Sequence, residues 1–461
     1  MRAAFLSLCL LLAGCATSVF NPATNVPITR ATPPGMDAPE DIVGENAVAL
    51  SFSGGGLRAA AIAHGVLTAL RDTKTAGGGS LADEIVFISS VSGGSLAAAH
   101  FGLYGVEGMD RFRENVLLRD FEADMRLSIT NPDNLLRIFG GGLNARENFG
   151  ESLDKHVFNG ATFADLYKRR KSDIRIHATD VYNRLSFPFI PRIFSVLCSD
   201  IRPYSIADAV VASMAVPLVF APVVVRTYPD HCTAPLPRAI AQARNDPDAP
   251  PILKSIEKAM SSYRDPSKVR YVKLIDGGVT DNLGLATLAV SRAISGTAYA
   301  PMTERDAVKV RRMLFLVVDA ARGPHGAWAL EEPGPPGVEL ALHVTDVATE
   351  SMARYAADGF WRMLKEWEAS LIEFRCGLTL EQVARLGGPV KDWHCSDVRF
   401  YFASLSIDNL SPEDRAKLEV IPTRLTLPPE QIDAAIDAAR RTMLSLPRFR
   451  QFLFERMKPS P

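Results

Sequence analysis

Ser92 stands where acyl-transfer chemistry would place a nucleophile. The residues before it, 85–91, begin as an apolar strand, Gly93 and Gly94 follow it, and the alanine-rich stretch from Leu96 predicts a helix. A strand, a tight turn and a helix in this order form an elbow that exposes one hydroxyl and aims a helix N-terminus at it. The small residues tolerate the strained turn. This pattern therefore predicts nucleophilic attack by Ser92 on an ester.

A turn of three glycines, Gly54, Gly55 and Gly56, precedes a helix predicted over 58–71. Backbone N–H groups that carry no side chain at the start of a helix bind anions, either an oxyanion or a phosphate. We expect these glycines to hold the oxyanion of the reaction. Arg58 directly follows the turn, and it would either neutralise a lipid phosphate or stabilise the turn.

Asp276 ends an apolar strand predicted over 271–275 and precedes two glycines. Because the carboxyl ends of parallel strands meet at one edge of a sheet, we expect this carboxylate at the same edge as Ser92. The alternative is a turn aspartate, which is common before glycine. A free aspartate has a pKa of about 3.9, far below that of a serine hydroxyl. As a base it would need a dry oxyanion site that carries much of the barrier reduction.

Histidine could supply the base instead. The order Ser, Asp, His would place His325, His343 or His394 in a triad, although none has an informative context. His64 and His100 lie on the helices beside the two turns, where we expect packing rather than catalysis.

Phosphate-binding loops fit the glycine turn poorly. It matches the loose dinucleotide fingerprint, but the next strand ends in serines rather than in an acidic residue. A P-loop is excluded because Leu57 and Arg58 stand where Gly-Lys-Ser/Thr is required.

Strand and helix patterns alternate from residue 47 to about 100, which predicts parallel strands joined by right-handed crossovers. The continuously apolar run 312–319 is typical of a buried parallel strand. A proline-rich insertion is expected at about 227–268. Beyond a Pro/Gly linker at 332–337, the pattern predicts the following elements: a long helix at about 340–371, a strand at 398–407 and an amphipathic helix at 430–457.

Taken together, the motifs resemble those of the patatin-like phospholipase family. The motifs that carry the resemblance are Gly-Gly-Gly-Leu-Arg at 54–58, Ser-Val-Ser-Gly-Gly at 90–94, Asp-Gly-Gly at 276–278, the stretch 212–217 and Asn282. The departure is Ser90, which occupies the first glycine position of the pattern Gly-x-Ser-x-Gly.

The resemblance implies an α/β fold, a three-layer α/β/α domain with a mostly parallel central sheet over 45–325, followed by a C-terminal α+β extension over 338–461. It implies a dyad of Ser92 as nucleophile and Asp276 as base, with no metal and no cofactor. The substrate would be a phospholipid or another lipid ester, hydrolysed through an acyl-enzyme as in a phospholipase A or lysophospholipase. An acyltransferase or small-ester esterase with the same serine, and a non-catalytic envelope scaffold, are the alternatives.

The first residues indicate export. Met1-Arg2 and an apolar stretch over 3–13 suit a secretory signal, and Leu-Ala-Gly-Cys at 12–15 resembles the lipobox of bacterial lipoproteins. That resemblance implies a signal peptide over 1–14, lipidation of Cys15 and a membrane anchor in the cell envelope. The residue after Cys15 is not aspartate, which favours the outer membrane. The polar, proline-rich stretch over 15–44 is expected to be a flexible tether.

Composition supports a globular protein with a substantial core. Of the 461 residues 47% are hydrophobic and 22% charged, and the formal net charge of -1 gives no reason to expect a nucleic-acid partner. Four cysteines beyond the leader permit disulfides, and proximity favours Cys198–Cys232 and Cys376–Cys395, with four buried thiols as the alternative. No cysteine or histidine spacing suggests a metal site.

Overall fold

The computed structural model of the protein describes residues 20–29, 41–42, 44–123, 125–128, 131–169, 172–232, 235–324, 326–335 and 337–457. Within these ranges, no helix combines the length and the apolar character needed to cross a membrane.

A central eight-stranded sheet organises the chain. The strands of the described residues are β1 Val26–Pro27, β2 Asn46–Phe52, β3 Ile85–Val91, β4 Asp173–Asp180, β5 Leu185–Pro188, β6 Ser199–Asp200, β7 Val223–Arg226, β8 Tyr271–Asp276, β9 Arg312–Val318 and β10 Arg399–Leu405. β1 and β6 form a separate two-stranded sheet, and the other eight strands belong to the central sheet. Their order in the sheet is β10-β9-β2-β3-β4-β8-β7, and β5 pairs with β4 beside that path. The first five of these run parallel to one another, so the expected mostly parallel sheet is confirmed.

Helices cover both faces of this sheet. They are α1 Gly56–Asp72, α2 Gly93–Phe112, α3 Pro132–Phe139, α4 Arg146–Leu153, α5 Phe163–Arg169, α6 Pro191–Val196, α7 Ile206–Ser213, α8 Arg238–Ala243, α9 Pro251–Tyr263, α10 Gly278–Asp281, α11 Ala286–Ser295, α12 Glu304–Lys309, α13 Gly337–Cys376, α14 Leu380–Arg385, α15 Pro412–Glu419, α16 Pro429–Ser445 and α17 Pro447–Met457. The predicted single helix over 430–457 is two helices, because Pro447 supplies no N–H to continue α16.

The alternation of side chains along β2 divides the hydrophobic core into two layers. Val48, Leu50 and Phe52 face the layer that contains α1, α2 and α16, whereas Ala47 and Ala49 face the layer that contains α11 and α13. Each layer is continuous and buried, so the three-layer α/β/α fold predicted from the sequence is confirmed.

One strand runs against the expected direction. β8 pairs antiparallel with β4, with Asp276 opposite Ala178, and β7 pairs antiparallel with β8. The prediction that Asp276 ends a parallel strand is therefore wrong. The carboxylate nevertheless reaches the nucleophile because its partner Ala178 follows His177, which lies opposite Val91 at the end of β3.

Residues 20–29, assigned above to the tether, pack on the domain instead. β1 pairs antiparallel with β6, and the Asn21 amide donates to the carbonyl of Ala221 at 2.9 Å. Asn25 donates to the hydroxyl of Ser199 at 2.9 Å. These side-chain hydrogen bonds fix a segment that has no hydrophobic periodicity. Cys15 and the rest of the predicted leader lie outside the described residues.

The C-terminal part joins the same sheet rather than forming a separate unit. β10 pairs in parallel with β9 along its full length, and α16 packs along α1. The alanines of α1 and α16 allow this close approach. Two disulfides join Cys198 to Cys232 and Cys376 to Cys395, the pairs that sequence proximity favours.

Candidate active site

Ser92 occupies the strained position of an elbow between β3 and α2. Its φ of 49° and ψ of −126° lie outside the regions that side-chain-bearing residues normally adopt. Such strain persists only where surrounding contacts hold it, and here Gly93 lies directly against the carbonyl of Gly56. A Cβ at Gly93 would come within 1.9 Å of that oxygen, so the elbow and the glycine turn can meet only through glycine.

A hydrogen-bond network of serine hydroxyls holds the backbone of the elbow in place. The N–H of Ser92 donates to Ser213 Oγ at 2.7 Å, and that hydroxyl donates to the carbonyl of His177 at 2.6 Å. Ser95 Oγ lies 3.0 Å from Ser213 Oγ and donates to Ser90 Oγ at 3.2 Å. The Ser90 hydroxyl donates in turn to the carbonyl of Arg175 at 3.1 Å. Ser90, the departure from the family pattern, is thus a buried part of this network.

Asp276 lies within hydrogen-bond distance of the candidate nucleophile. Ser92 Oγ donates to Asp276 Oδ2 at 2.8 Å, and the N–H of Gly278 donates to Oδ1 at 2.8 Å. The backbone is fixed because Asp276 N–H donates to the carbonyl of Ala215 at 2.9 Å. Burial of the carboxylate raises its pKa to about 6, while the bonds from Gly278 and Ser92 oppose that rise. A base with this pKa is closer to a neutral working pH than a free aspartate.

The glycine turn faces Ser92, but its three amides are not equivalent. The N–H of Gly54 donates to the side-chain oxygen of Asn282 at 3.2 Å and to its carbonyl at 3.3 Å. Gly54 is therefore not a free oxyanion donor, which corrects one of the three predicted positions. The N–H groups of Gly55 and Gly56 have no partner among the described residues. Both glycines have positive φ, 138° and 60°, which turns the chain into α1.

The side chain of Arg58 is occupied by hydrogen bonds within the protein. Its guanidinium is buried and donates to the carbonyls of Ala320 at 3.0 Å and Ile421 at 2.6 Å, and to the hydroxyl of Thr423 at 3.3 Å. Burial lowers the pKa of Arg58 to about 10. Of the two roles considered from the sequence, these contacts favour the structural one, because they tie the helix after the glycine turn to the C-terminal part of the chain.

A C-terminal segment that the sequence did not point to completes the turn. We call residues 421–426 the strap. The carbonyl of Arg424 accepts the N–H of Leu57 at 2.9 Å, and Leu425 N–H donates to the carboxylate of Glu122 at 2.7 Å. A Cβ on Gly56 would come within 2.5 Å of the Arg424 carbonyl oxygen. The strap thus packs directly on the backbone of the glycine turn.

Within the described part of the chain, no histidine side chain hydrogen-bonds to Ser92 or Asp276. His177 is fully buried, with Nδ1 3.2 Å from the carbonyl of Ser90 and Nε2 at the Thr287 hydroxyl, and burial lowers its pKa to about 4. His64 and His100 pack on the ring of Phe112, as expected. The carbonyl of His394 accepts a bond from Arg375. His325 and the side chain of His343 lie outside the described residues.

A cavity of about 1180 Å³ lies elsewhere. Phe87, Phe315 and Trp367 line it on the sheet face that packs against α11 and α13, together with residues of the insertion and of the 185–193 segment. None of its lining residues is Ser92, Asp276 or a glycine of the turn. In the chain as described, no cluster of three metal-ligating side chains is found.

A family model described as patatin-like phospholipase matches residues 50–289, just over half of the chain. No curated protein matches the sequence significantly. Among solved structures, VipD from Legionella pneumophila is 13% identical, with 97% of this chain and 73% of that chain covered and a TM-score of 0.33. Human GIVD cytosolic phospholipase A2 is 12% identical, with 93% and 64% covered and a TM-score of 0.39. Both similarities are distant, and the family assignment rests on the family model.

Proposed function

Because the chain belongs to the patatin-like phospholipase family, we propose that it hydrolyses phospholipid or lysophospholipid esters through an acyl-enzyme on Ser92. The single observation that carries the mechanism is the 2.8 Å hydrogen bond from Ser92 Oγ to the buried carboxylate of Asp276. A nucleophile, a base within reach and unpaired amides beside both are the parts that acyl transfer requires.

In the first half-reaction Asp276 accepts the proton of Ser92 as Oγ attacks the ester carbonyl. The tetrahedral oxyanion then accepts hydrogen bonds from the N–H groups of Gly55 and Gly56, at the N-terminus of α1. Collapse of this intermediate breaks the ester bond, and the leaving alcohol takes the proton from Asp276. In the second half-reaction Asp276 takes a proton from water as the water oxygen attacks the acyl carbonyl. Collapse of this second intermediate breaks the bond to Ser92 Oγ, which takes the proton back from Asp276, and the fatty acid leaves.

The labelling experiment for this proposal uses a fluorophosphonate probe on the purified protein. Wild type should be labelled, and Ser92→Ala should lose both labelling and hydrolysis of a phospholipid substrate. Ser255→Ala, on the exposed face of α9, is the matched control. Labelling that survives Ser92→Ala would remove the nucleophile. Product analysis by mass spectrometry shows whether the acyl group passes to water or to another alcohol.

We further propose that Cys15 carries the lipid anchor, on the strength of the Leu-Ala-Gly-Cys motif at 12–15. Multiple acyl chains on one residue give stable membrane attachment. Cells expressing the full chain should incorporate labelled palmitate into the protein, and Cys15→Ser should abolish incorporation. Fractionation of the envelope would then test the expected outer-membrane location.

A further inference from the structure

An exposed apolar surface lies beside the catalytic edge of the sheet. In α3 the side chains of Leu135 and Phe139 are exposed, Phe139 by 81%, and only Asn134 of this helix is buried. Leu127 and the loop Val216–Leu218 are also exposed. We call α3, Leu127 and this loop the apolar cap. An exposed apolar helix face often marks an interaction site.

Hydrogen bonds connect the parts of the apolar cap to one another. Asn144 joins its parts, because its side chain donates to the carbonyls of Arg126 at 2.9 Å and Val219 at 3.1 Å. The end of α3 is held to the same place, since Arg137 donates to the carbonyl of Leu143 at 3.0 Å. Leu143 N–H then donates to the carbonyl of Leu218 at 3.2 Å.

The apolar cap is fastened close to both halves of the catalytic site. On one side, the loop Val216–Leu218 follows directly after Ala215, whose carbonyl accepts the N–H of Asp276. On the other side, Glu122 holds the strap, and the strap accepts the N–H of Leu57 behind the glycine turn. These bonds link the chain beside the cap to the backbone of Asp276 on one side and of the glycine turn on the other.

The backbone conformation of Leu218 indicates that its exposed side chain has a function. Leu218 has a φ of 73°, a left-handed conformation that costs free energy for leucine, and its side chain is 61% exposed. A sequence under no other constraint would place glycine or asparagine there. Strained backbone conformations of this kind cluster at functional sites.

The N-terminal segment lies next to the same surface. The Asn21 side chain donates to the carbonyl of Ala221 and accepts the N–H of Arg146 at 2.6 Å, and the neighbouring Phe20 is 63% exposed. Cys15 precedes Phe20 by only five residues of chain, which span at most about 18 Å when fully extended. An anchor at Cys15 would therefore hold this side of the molecule near the lipid surface.

We propose that the apolar cap is the surface that docks on the lipid bilayer and presents the entrance of the active site to its substrate. This inference rests on the proposed function and on the proposed anchor. The occupant is a bilayer rather than a second copy of the chain, because an anchor at Cys15 would lie at most about 18 Å of chain from Phe20 and would hold this face near the membrane.

The activity test compares two substrates with the full-length protein. Phe139→Ser and Leu218→Asn should each lower hydrolysis of vesicles of phosphatidylethanolamine and phosphatidylglycerol by about tenfold, because each removes a side chain that would be buried in lipid. Hydrolysis of a short-chain soluble ester should be retained. Asparagine suits the positive φ at 218, so that variant adds no strain. Leu380→Ser, at an exposed leucine of α14, is the control and should change neither rate.

Equal losses on both substrates, or no loss on vesicles, would overturn the proposal. So would a dimer in sedimentation velocity that Phe139→Ser dissociates, since a second copy would then be the occupant.

Direct contact with lipid is tested independently of catalysis. In the Ser92→Ala background, Phe139→Trp should gain fluorescence that brominated phospholipid vesicles quench, above the signal of the four native tryptophans. Leu380→Trp should gain fluorescence that these vesicles do not quench. Absence of quenching at position 139 would sink the docking surface even if Ser92 proved to be the nucleophile. If the tryptophan at position 139 were quenched but Ser92→Ala kept its activity, only the proposed mechanism would be overturned.

Discussion

The side-chain oxygen of Asn282 accepts the backbone N–H of Gly54 at 3.2 Å. This contact links the segment that follows Asp276 to the turn that faces Ser92. A Cβ on Gly54 would lie 2.7 Å from that oxygen and 3.2 Å from the Cβ of Ser92, so the three groups are packed tightly together. Asn282 thus holds the glycine turn at a fixed height above the nucleophile.

Replacing Asn282 tests this positioning role. Asn282→Ala should lower kcat on a soluble ester by about tenfold, less than the ~100-fold loss that removal of an oxyanion donor causes, because the amides of Gly55 and Gly56 stay in place. KM should change little, since Asn282 would not touch the substrate. Steady-state kinetics beside the exposed control Asn245→Ala measure the split. A rise in KM with unchanged kcat would assign Asn282 to substrate binding instead.

The pH dependence of the reaction should report Asp276. The base must be ionised, and burial raises its pKa to about 6, so kcat/KM on a soluble neutral ester should fall about tenfold per pH unit below about pH 6. Above that pH the rate should be level until another group titrates. A profile whose acid limb lies near pH 4 would contradict the raised pKa.

The carboxylate of Asp276 should also make the stability of the protein depend on pH. Since the pKa of Asp276 is higher in the folded than in the unfolded protein, its contribution to stability is fully present below about pH 4 and is lost as the pH rises through about 6. Asp276→Asn should therefore raise the free energy of unfolding at pH 8 by roughly 3 kcal/mol, and the gain should shrink toward pH 4. Urea unfolding at both values measures this. Asp437→Asn, on the exposed face of α16, should show no such difference.

Arg58 should prove structural. Arg58→Gln removes donors to the carbonyls of Ala320 and Ile421 and should destabilise the protein by roughly 3 kcal/mol, because buried acceptors lose charged partners. Thermal unfolding beside Arg448→Gln, an exposed control, measures the loss. The ratio of rates on a phospholipid and on an uncharged monoacylglycerol should not change. A selective loss on the phospholipid would restore the phosphate role.

Ser90 offers a test of the departure from the family pattern. Ser90→Gly removes the bond to the carbonyl of Arg175 and the acceptor for Ser95, so the free energy of unfolding should fall by about 1–2 kcal/mol. The elbow geometry depends on Ser92 and Gly93, so the rate should stay within a few-fold of wild type. Chemical denaturation and ester hydrolysis on one preparation check both. A loss of activity larger than the loss of folded protein would place Ser90 in the catalytic geometry.

Local motifs were enough to predict the layered fold and the meeting of Ser92 with Asp276. The residues that specify a tight turn or an apolar strand are close neighbours in the sequence, so both elements can be recognised without a structure. The direction of β8 was not, because an apolar strand has the same pattern whether its partner is parallel or antiparallel. The three glycines likewise look equivalent in the sequence, since nothing in their spacing shows that Asn282 accepts the N–H of Gly54.

The strap was missed for a different reason. Residues 421–426 carry no motif, and their bonds to Leu57 and Glu122 join positions hundreds of residues apart. Only the assembled fold brings them together. The docked segment 20–29 was missed in the same way, because the side-chain amides of Asn21 and Asn25 pair with distant backbone and leave no periodic pattern.

The contact between Arg424 and Leu57 also sets an order of events during biosynthesis. The hydroxyl that would attack lipid is made early, whereas Arg424, whose carbonyl accepts the N–H of Leu57 behind the glycine turn, follows hundreds of residues later in the chain. A nascent or truncated polypeptide would therefore carry its nucleophile beside an unfinished turn.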